Sequence, residues 1–173
     1  MNLTMATSRF FLVIVVIVNL LCDQISKAVV RQELEMNEYI ELVGKNVILT
    51  RVENTGAFLG FGSTFPPVIK SFLFLIIPAF ILLFILGYLI FKKQLNLNVG
   101  LALAFITGGG LGNVYDRIFK EGVTDFLYVD IWIFETGIFN LADVSVTAGT
   151  LYLLFYNLRY RMPQDEKKKS SSN

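Results

Sequence analysis

The stretch SRFFLVIVVIVNLLCDQISKA, from Ser8 to Ala28, decides the fold. Phe10 to Leu21 is almost wholly Val, Ile, Leu and Phe, and Asp23, Gln24 and Lys27 follow directly. A bilayer core about 30 Å thick takes roughly 17 to 25 helical residues. In lipid, an apolar segment satisfies its backbone only as a helix or within a closed barrel. Ser8–Ala28 therefore reads as a membrane-spanning helix. Arg9, an apolar run and Cys22 give it the outline of a cleaved leader. Cleavage, however, needs a small residue where Leu21 stands, so the span is expected to be retained.

Three more stretches read the same way: Pro67 to Phe91, Asn98 to Tyr115 and Ile138 to Leu158. Of the chain's 173 residues, 54% are hydrophobic and 17% charged, with a mean hydropathy of +0.61. A soluble domain carries about 25% charged residues, so the composition agrees with a membrane protein of about one domain. The net charge of +1 is too balanced to suggest nucleic acid as a partner. With no His and one Cys, Ser-His-Asp and Cys-His catalysis, His-bearing or multi-Cys zinc sites and intrachain disulfides are all excluded. Any chemistry falls to carboxylates, Lys, Arg, hydroxyls or amides, and no metal or cofactor is expected.

Four spans put both ends of the chain on one side. That side holds eight basic residues (Arg9, Lys92, Lys93, Arg159, Arg161, Lys167, Lys168, Lys169) against Asp165 and Glu166. The remainder holds seven basic and twelve acidic residues. Basic flanks face the cytoplasm, so both termini are expected inside and the longer loops outside. Residues 1–162 read as a single membrane-embedded domain, and 163–173 as a disordered cytoplasmic tail. In the outward loops, Tyr39 to Val43 and Val47 to Glu53 flank Gly44-Lys45-Asn46 and read as a hairpin. Val123 to Phe134 is also β-prone, so a small sheet on the outer membrane surface is expected. Gly108 and Gly112 form a G-x-x-x-G that lets helices approach closely.

Polar residues at membrane depth need a reason, because a charge at mid-helix costs roughly 2.5–3.5 kcal/mol on insertion scales. Asp23 and Lys27, four apart, share a helix face and form an ion pair or contact a substrate. Asn54 and Gly56 lie in Asn54-Thr55-Gly56, a turn signal. Asn113, Asp116 and Arg117 share one face, with Asp116 and Arg117 expected as a local ion pair. Asp125 lies in the β-prone run. Asn140 and Asp143 share a face, and Asp143 has no basic neighbour within a turn. The topology places all five clusters at one outer level. Two carboxylates brought close in a low-dielectric site share a proton. The ionised one can then take a proton from water while the other polarises a carbonyl. Spacing alone leaves Asp116 and Asp125 both open as partner to Asp143, with Arg117 beside Asp116 favouring Asp125.

Asp23-Gln24-Ile25-Ser26-Lys27, Asn54-x-Gly56-Ala57-Phe58, Gly109-x-x-Gly112-Asn113-x-x-Asp116-Arg117, Val123-x-Asp125-Phe126 and Phe139-Asn140-x-Ala142-Asp143 together resemble the lipoprotein signal peptidase family, also called signal peptidase II. The resemblance runs in order from about Phe10 to Leu158. It implies a bacterial inner-membrane aspartyl endopeptidase with a four-helix bundle and an extracytoplasmic β-cradle. It implies Asp125 and Asp143 as the catalytic pair, with Asp23, Lys27, Asn54, Gly56, Asn113, Asp116, Arg117 and Asn140 supporting the site or touching substrate. It also implies a diacylglyceryl-prolipoprotein substrate, cut before the lipidated cysteine, and block by globomycin. A monomer is the simplest assembly.

Three other readings compete. A proton-conducting protein needs polar residues running to the inner face, where Phe11 to Val18, Leu82 to Ile90 and Leu151 to Phe155 are nearly all apolar. A Ser-Lys protease has only Ser26-Lys27 and Lys70-Ser71, and sequential helical neighbours do not face each other. A purely structural protein leaves Asp143 unexplained.

Overall fold

A computed structural model describes residues 3–57, 60–120 and 122–170, with side chains from 8 to 159. Phe58 and residues 171–173 lie outside the described residues, as do the side chains of Arg161 and Lys167 to Lys169. Helix α1 (Leu3–Glu33) leads into strands β1 (Tyr39–Val43) and β2 (Val47–Asn54). The next span begins with α2 (Pro67–Lys70), passes through a π-helical stretch (Ser71–Ile76) and ends as α3 (Ile77–Phe91). Helix α4 (Leu97–Phe119), strands β3 (Val123–Ile131) and β4 (Phe134–Phe139) and helix α5 (Leu141–Ser170) complete the order. Among the described residues, four helical segments are long and apolar enough to cross a membrane: Ser8–Glu33, Pro67–Phe91, Leu97–Phe119 and Leu141–Arg159.

Helix α4 sits at the centre, touching α1, α3 and α5. Small residues allow this. A Cβ on Gly109 would run into the Ala142 carbonyl of α5, and one on Gly112 into the Asp23 carboxylate of α1. Leu12, Val16, Leu89 and Ala104 close the core between α1, α3 and α4.

The sheet is an antiparallel meander in the order β1-β2-β3-β4. The hairpin and the β-prone run fall where the sequence expects them, but β4 is additional. Ile138, expected at the start of the fourth span, belongs to this strand and pairs with Tyr128. Six β-compatible residues next to an apolar helix merge with it when read by hydropathy alone. Helix α5 also continues to Ser170, through the segment from Pro163 where disorder is expected. Val30 of α1 and Leu34, just past its end, pack on Phe126 of β3, with Leu49 and Leu127 alongside, which seats the sheet on the end of the bundle. A β-bulge in β2 between Leu49 and Val52 lies beside Asp125, the pairing partner of Val52. Bulges re-aim side chains in this way beside functional sites.

Candidate active site

Asn140 caps α5. Its side-chain oxygen accepts from the Asp143 N–H at 3.0 Å, and an Asp143 carboxylate oxygen accepts from the Asn140 N–H at 3.2 Å. This is a capping box with an acid in the first turn. It gives Asp143 the local partner that the sequence did not reveal. The Ala142 N–H, free at the same helix end, donates to Asp23 of α1 at 2.9 Å. An acid near a helix N-terminus is also favoured by the macrodipole.

The other Asp23 oxygen accepts from Lys27 at 2.8 Å. Lys27 reaches Asp116 at 2.7 Å and the Asn113 side-chain oxygen at 2.9 Å. Its ammonium thus has three acceptors, with Lys27, Asp23 and Asp116 all fully buried. Arg31 adds a second cation, 3.6 Å from Asp116. The expected Asp116–Arg117 pair is therefore corrected. Asp116 is held by α1, while Arg117 turns the other way and donates to the Asn113 carbonyl at 3.2 Å and the Gly56 carbonyl at 2.8 Å. Consecutive helical residues point about 100° apart, and the two serve opposite sides of α4.

Lys27 fixes how Asn113 faces. With its oxygen toward the ammonium, the Asn113 amide donates to Asp143 at 2.9 Å. Asn140 donates to Asp125 at 2.6 Å and to the Asn113 oxygen at 3.2 Å. Asn54 supplies the second donor to Asp125, at 3.0 Å. Its oxygen meanwhile accepts from the Gly56 N–H at 2.9 Å. The turn expected at Asn54-x-Gly56 forms, and the same side chain reaches an acid. Gly56 is buried with no room for a side chain, since a Cβ would lie 2.9 Å from the Gly60 backbone.

Asp125, Asp143, Asn54, Asn113 and Arg117, with Ala57, Val123 and Ile138, line a small pocket of about 30 Å³. A water needs about 10–15 Å³ of such space, so the pocket can hold one. Burial pushes the Asp125 carboxyl up to about 6; the Asp143 charge also raises it, while hydrogen bonds from Asn54 and Asn140 pull it down. Larger clefts flank this cavity. One of about 380 Å³ is lined by Thr55, Lys70, Ser71, Phe74 and Arg117 among others. The other, about 490 Å³, runs along the sheet past Asp125, Glu53, Tyr128 and Glu135. Gly60 and Ser63 line the sheet-side cleft, so the connector from Gly60 to Pro67 reaches the rim of the site.

All ten residues singled out in the sequence thus form one cluster where the bundle meets the sheet. Six further residues, to which the sequence reading assigns no role in the site, join them. Gln24 donates to Asp23, the Gly112 carbonyl and Asp116. Arg31 donates to the Thr124 hydroxyl at 2.7 Å, and Thr124 donates to Glu53 at 3.0 Å. Asn19 accepts from Ser145 at 2.7 Å. Asn19, Asp23, Lys27 and Arg31 recur every four residues, a polar stripe that would have revealed two of them.

The family model described as Signal peptidase (SPase) II matches residues 14–159. A lipoprotein signal peptidase of Borrelia turicatae is 37% identical over 142 residues, which is 79% of this chain and 82% of that protein. One from Clostridium novyi is 30% identical over 150 residues, covering 85% of this chain and 97% of its own. A bacterial membrane enzyme solved in meso at 2.3 Å resolution superposes with a TM-score of 0.76 at 27% identity, covering 86% of this chain and 88% of that one. With the match running almost from end to end of the membrane domain, the chain belongs to the signal peptidase II family.

Proposed function

We propose that this chain is an aspartyl endopeptidase that removes the signal peptide of diacylglyceryl-modified prolipoproteins, cutting before the lipidated cysteine. The observation that carries the reading is the small pocket, with room for a water, lined by both Asp125 and Asp143. A water held there loses a proton to the ionised carboxylate as its oxygen attacks the scissile carbonyl. The protonated carboxyl of the pair donates to the carbonyl oxygen, so the tetrahedral intermediate is a neutral gem-diol. Its collapse breaks the C–N bond. The proton taken from water passes to the leaving nitrogen while one gem-diol hydroxyl returns its proton to the carboxylate that first donated one, which restores the pair and gives a free amine on the cysteine and a carboxylic acid on the signal peptide, ionised on release.

Asp125, with its raised pKa, is assigned the proton and Asp143 the general base. The buried Arg117 Nε donates to no group among the described residues, which leaves it for a substrate carbonyl. Asn54, Asn113 and Asn140 orient the two acids. Lys27, Asp23 and Asp116 hold Asn113 and the start of α5, and are positioning residues. The basic flanks support cytoplasmic termini and an active site at the outer face of the inner membrane. From there a lipidated substrate enters sideways with its acyl chains still in the bilayer. Globomycin competes with the substrate for the same site, and one chain suffices for it.

The test is cleavage of a purified diacylglyceryl prolipoprotein in detergent by the wild type, Asp125→Asn and Asp143→Asn, each with and without chelator. Activity is expected from the wild type alone and unchanged by chelator. Normal turnover by either variant would remove that residue from the pair. The Ser-Lys alternative meets a specific obstacle. The three acceptors around Lys27 use its ammonium protons, and Ser26 donates to its own helix at the Asp23 carbonyl. Ser26→Ala combined with Ser71→Ala is expected to retain activity.

A further inference from the structure

The loop joining β3 to β4 defies the chemistry of its own turn. Ile131 pairs with Phe134, so Trp132 and Ile133 alone make the connection. Two-residue hairpin loops favour Gly or Asn where φ is positive. Trp132 sits at φ +51°, and the next residue is β-branched. Bulky residues held in sparsely populated backbone regions point to a task for the side chain. That task is not packing within the chain. Trp132 is 98% exposed and Ile133 94%, with Ile131 and Phe134 more than half exposed beside them. Exposed Val43 lies at the same end of the sheet, where the Asp130 N–H donates to the Asn46 carbonyl at 2.8 Å. An apolar patch of this kind marks an interaction surface.

The position of the sheet identifies the partner. The span Ser8–Glu33 has 26 residues, about 39 Å of helix against a hydrocarbon core of about 30 Å. Its last turns leave the hydrocarbon, and there Val30 and Leu34 meet Phe126, Leu49 and Leu127. The middle of the sheet is thus held at headgroup level. The tip begins four residues beyond Leu127, about 13 Å along the strand, and β4 returns from it to the start of α5. Ile131 to Phe134 contain no charge, while Asp130 and Glu135 flank them. An indole among aliphatic residues with charges at the margin suits the boundary between headgroups and acyl chains.

We propose that the β3–β4 tip, Ile131 to Phe134 with Val43 beside it, inserts into the leaflet on the sheet side. It is a phospholipid anchor that sets the height of β3 above the bilayer. Trp132 is the only tryptophan in the chain, so its fluorescence reads the tip alone. The full-length protein is reconstituted in vesicles of phosphatidylcholine and phosphatidylglycerol. The phosphatidylcholine is brominated either near the headgroup end of its acyl chains or near their methyl end. Blue-shifted emission is expected, with strong quenching by the shallow bromine, weak quenching by the deep one and little access for acrylamide. Ile133→Asp is expected to shift the emission to the red, abolish the shallow quenching and restore acrylamide access. Wild-type emission that acrylamide quenches freely and neither bromolipid affects would place the tip in water and overturn the proposal. Blue-shifted emission that ignores bromolipid and varies with protein density would assign the patch to a second copy, and would overturn it equally.

Discussion

Two pairs of aspartates lie at the same end of the bundle and differ in what stands between them. Asp23 and Asp116 close on the Lys27 ammonium, with Gln24 and Arg31 completing a charge-balanced knot. Asp125 and Asp143 receive amide donors only, from Asn54, Asn140, Asn113 and the α5 backbone. The pocket before this second pair has room for a water, and Arg117, which lines it, donates to the Asn113 and Gly56 carbonyls rather than to either acid. An ammonium against a carboxylate favours its charged form and occupies its lone pairs. A carboxylate surrounded by neutral donors in a buried site is free to exchange a proton. If the proposed mechanism holds, the comparison teaches that the partner of an acid, rather than its depth, separates scaffold from chemistry.

The largest expected effect comes from neutralising the second pair. Asp125→Asn and Asp143→Asn should each lower kcat/KM by about 10³-fold or more, the range for removing an essential proton-transfer group. Thermal unfolding in detergent should change far less, because Asn keeps the shape. In the first pair the order reverses. Lys27→Met leaves buried Asp23 without a counter-charge and Asp116 with Arg31 alone, which costs about 3–5 kcal/mol and shows as a large drop in Tm. Lys27→Met combined with Asp23→Asn and Asp116→Asn removes all three charges and should recover much of that loss. Equal Tm values for the single and triple variants would mean that charge is not what the knot balances.

A smaller effect tests the contact between α4 and α5 that brings Asp143 to Asn113. Gly109→Ala pushes a methyl against the Ala142 carbonyl, and overpacking of this kind costs about 1–3 kcal/mol. Because Ala142 precedes Asp143, activity should fall further than Tm suggests. Gly87→Ala, where a Cβ meets nothing, is the control and should leave both unchanged.

The spans were legible because each concentrates one signal, sustained hydropathy, over a length the bilayer dictates. The hairpin at Gly44 was legible from its turn, whereas β4 was hidden beside an apolar helix that outweighs six residues in any window. In the site, residue types and level could be read, but partners could not. Arg117 adjoins Asp116 in sequence and faces away from it in space, while the true partner, Lys27, lies on another helix. Asp143 looked unpaired because its capping bond is to a backbone N–H, which carries no sequence signal. Which two acids share a cavity is a property of helix packing, set by Gly109 and Gly112, and single-chain spacing does not contain it.

The smallest effect probes whether the two acids of the second pair sense each other. Burial is the main reason that the Asp125 carboxyl titrates near 6 rather than 3.8, and the Asp143 charge adds to it. The folded chain therefore holds the Asp125 proton more tightly than the unfolded chain does. Its contribution to stability is greatest at low pH and declines as pH rises from about 4 to about 6. Activity that needs this proton in the free enzyme should fall along an alkaline limb of kcat/KM. In Asp143→Asn the charge is gone and burial remains, so the Asp125 midpoint should move down without returning to 3.8. The protonated carboxyl stretch, followed by infrared difference spectroscopy with Asp125→Asn as blank, reads this midpoint directly. An unmoved midpoint would mean that the carboxyls titrate independently. Proton sharing would then fail, and Asp125 would hold its proton through burial alone.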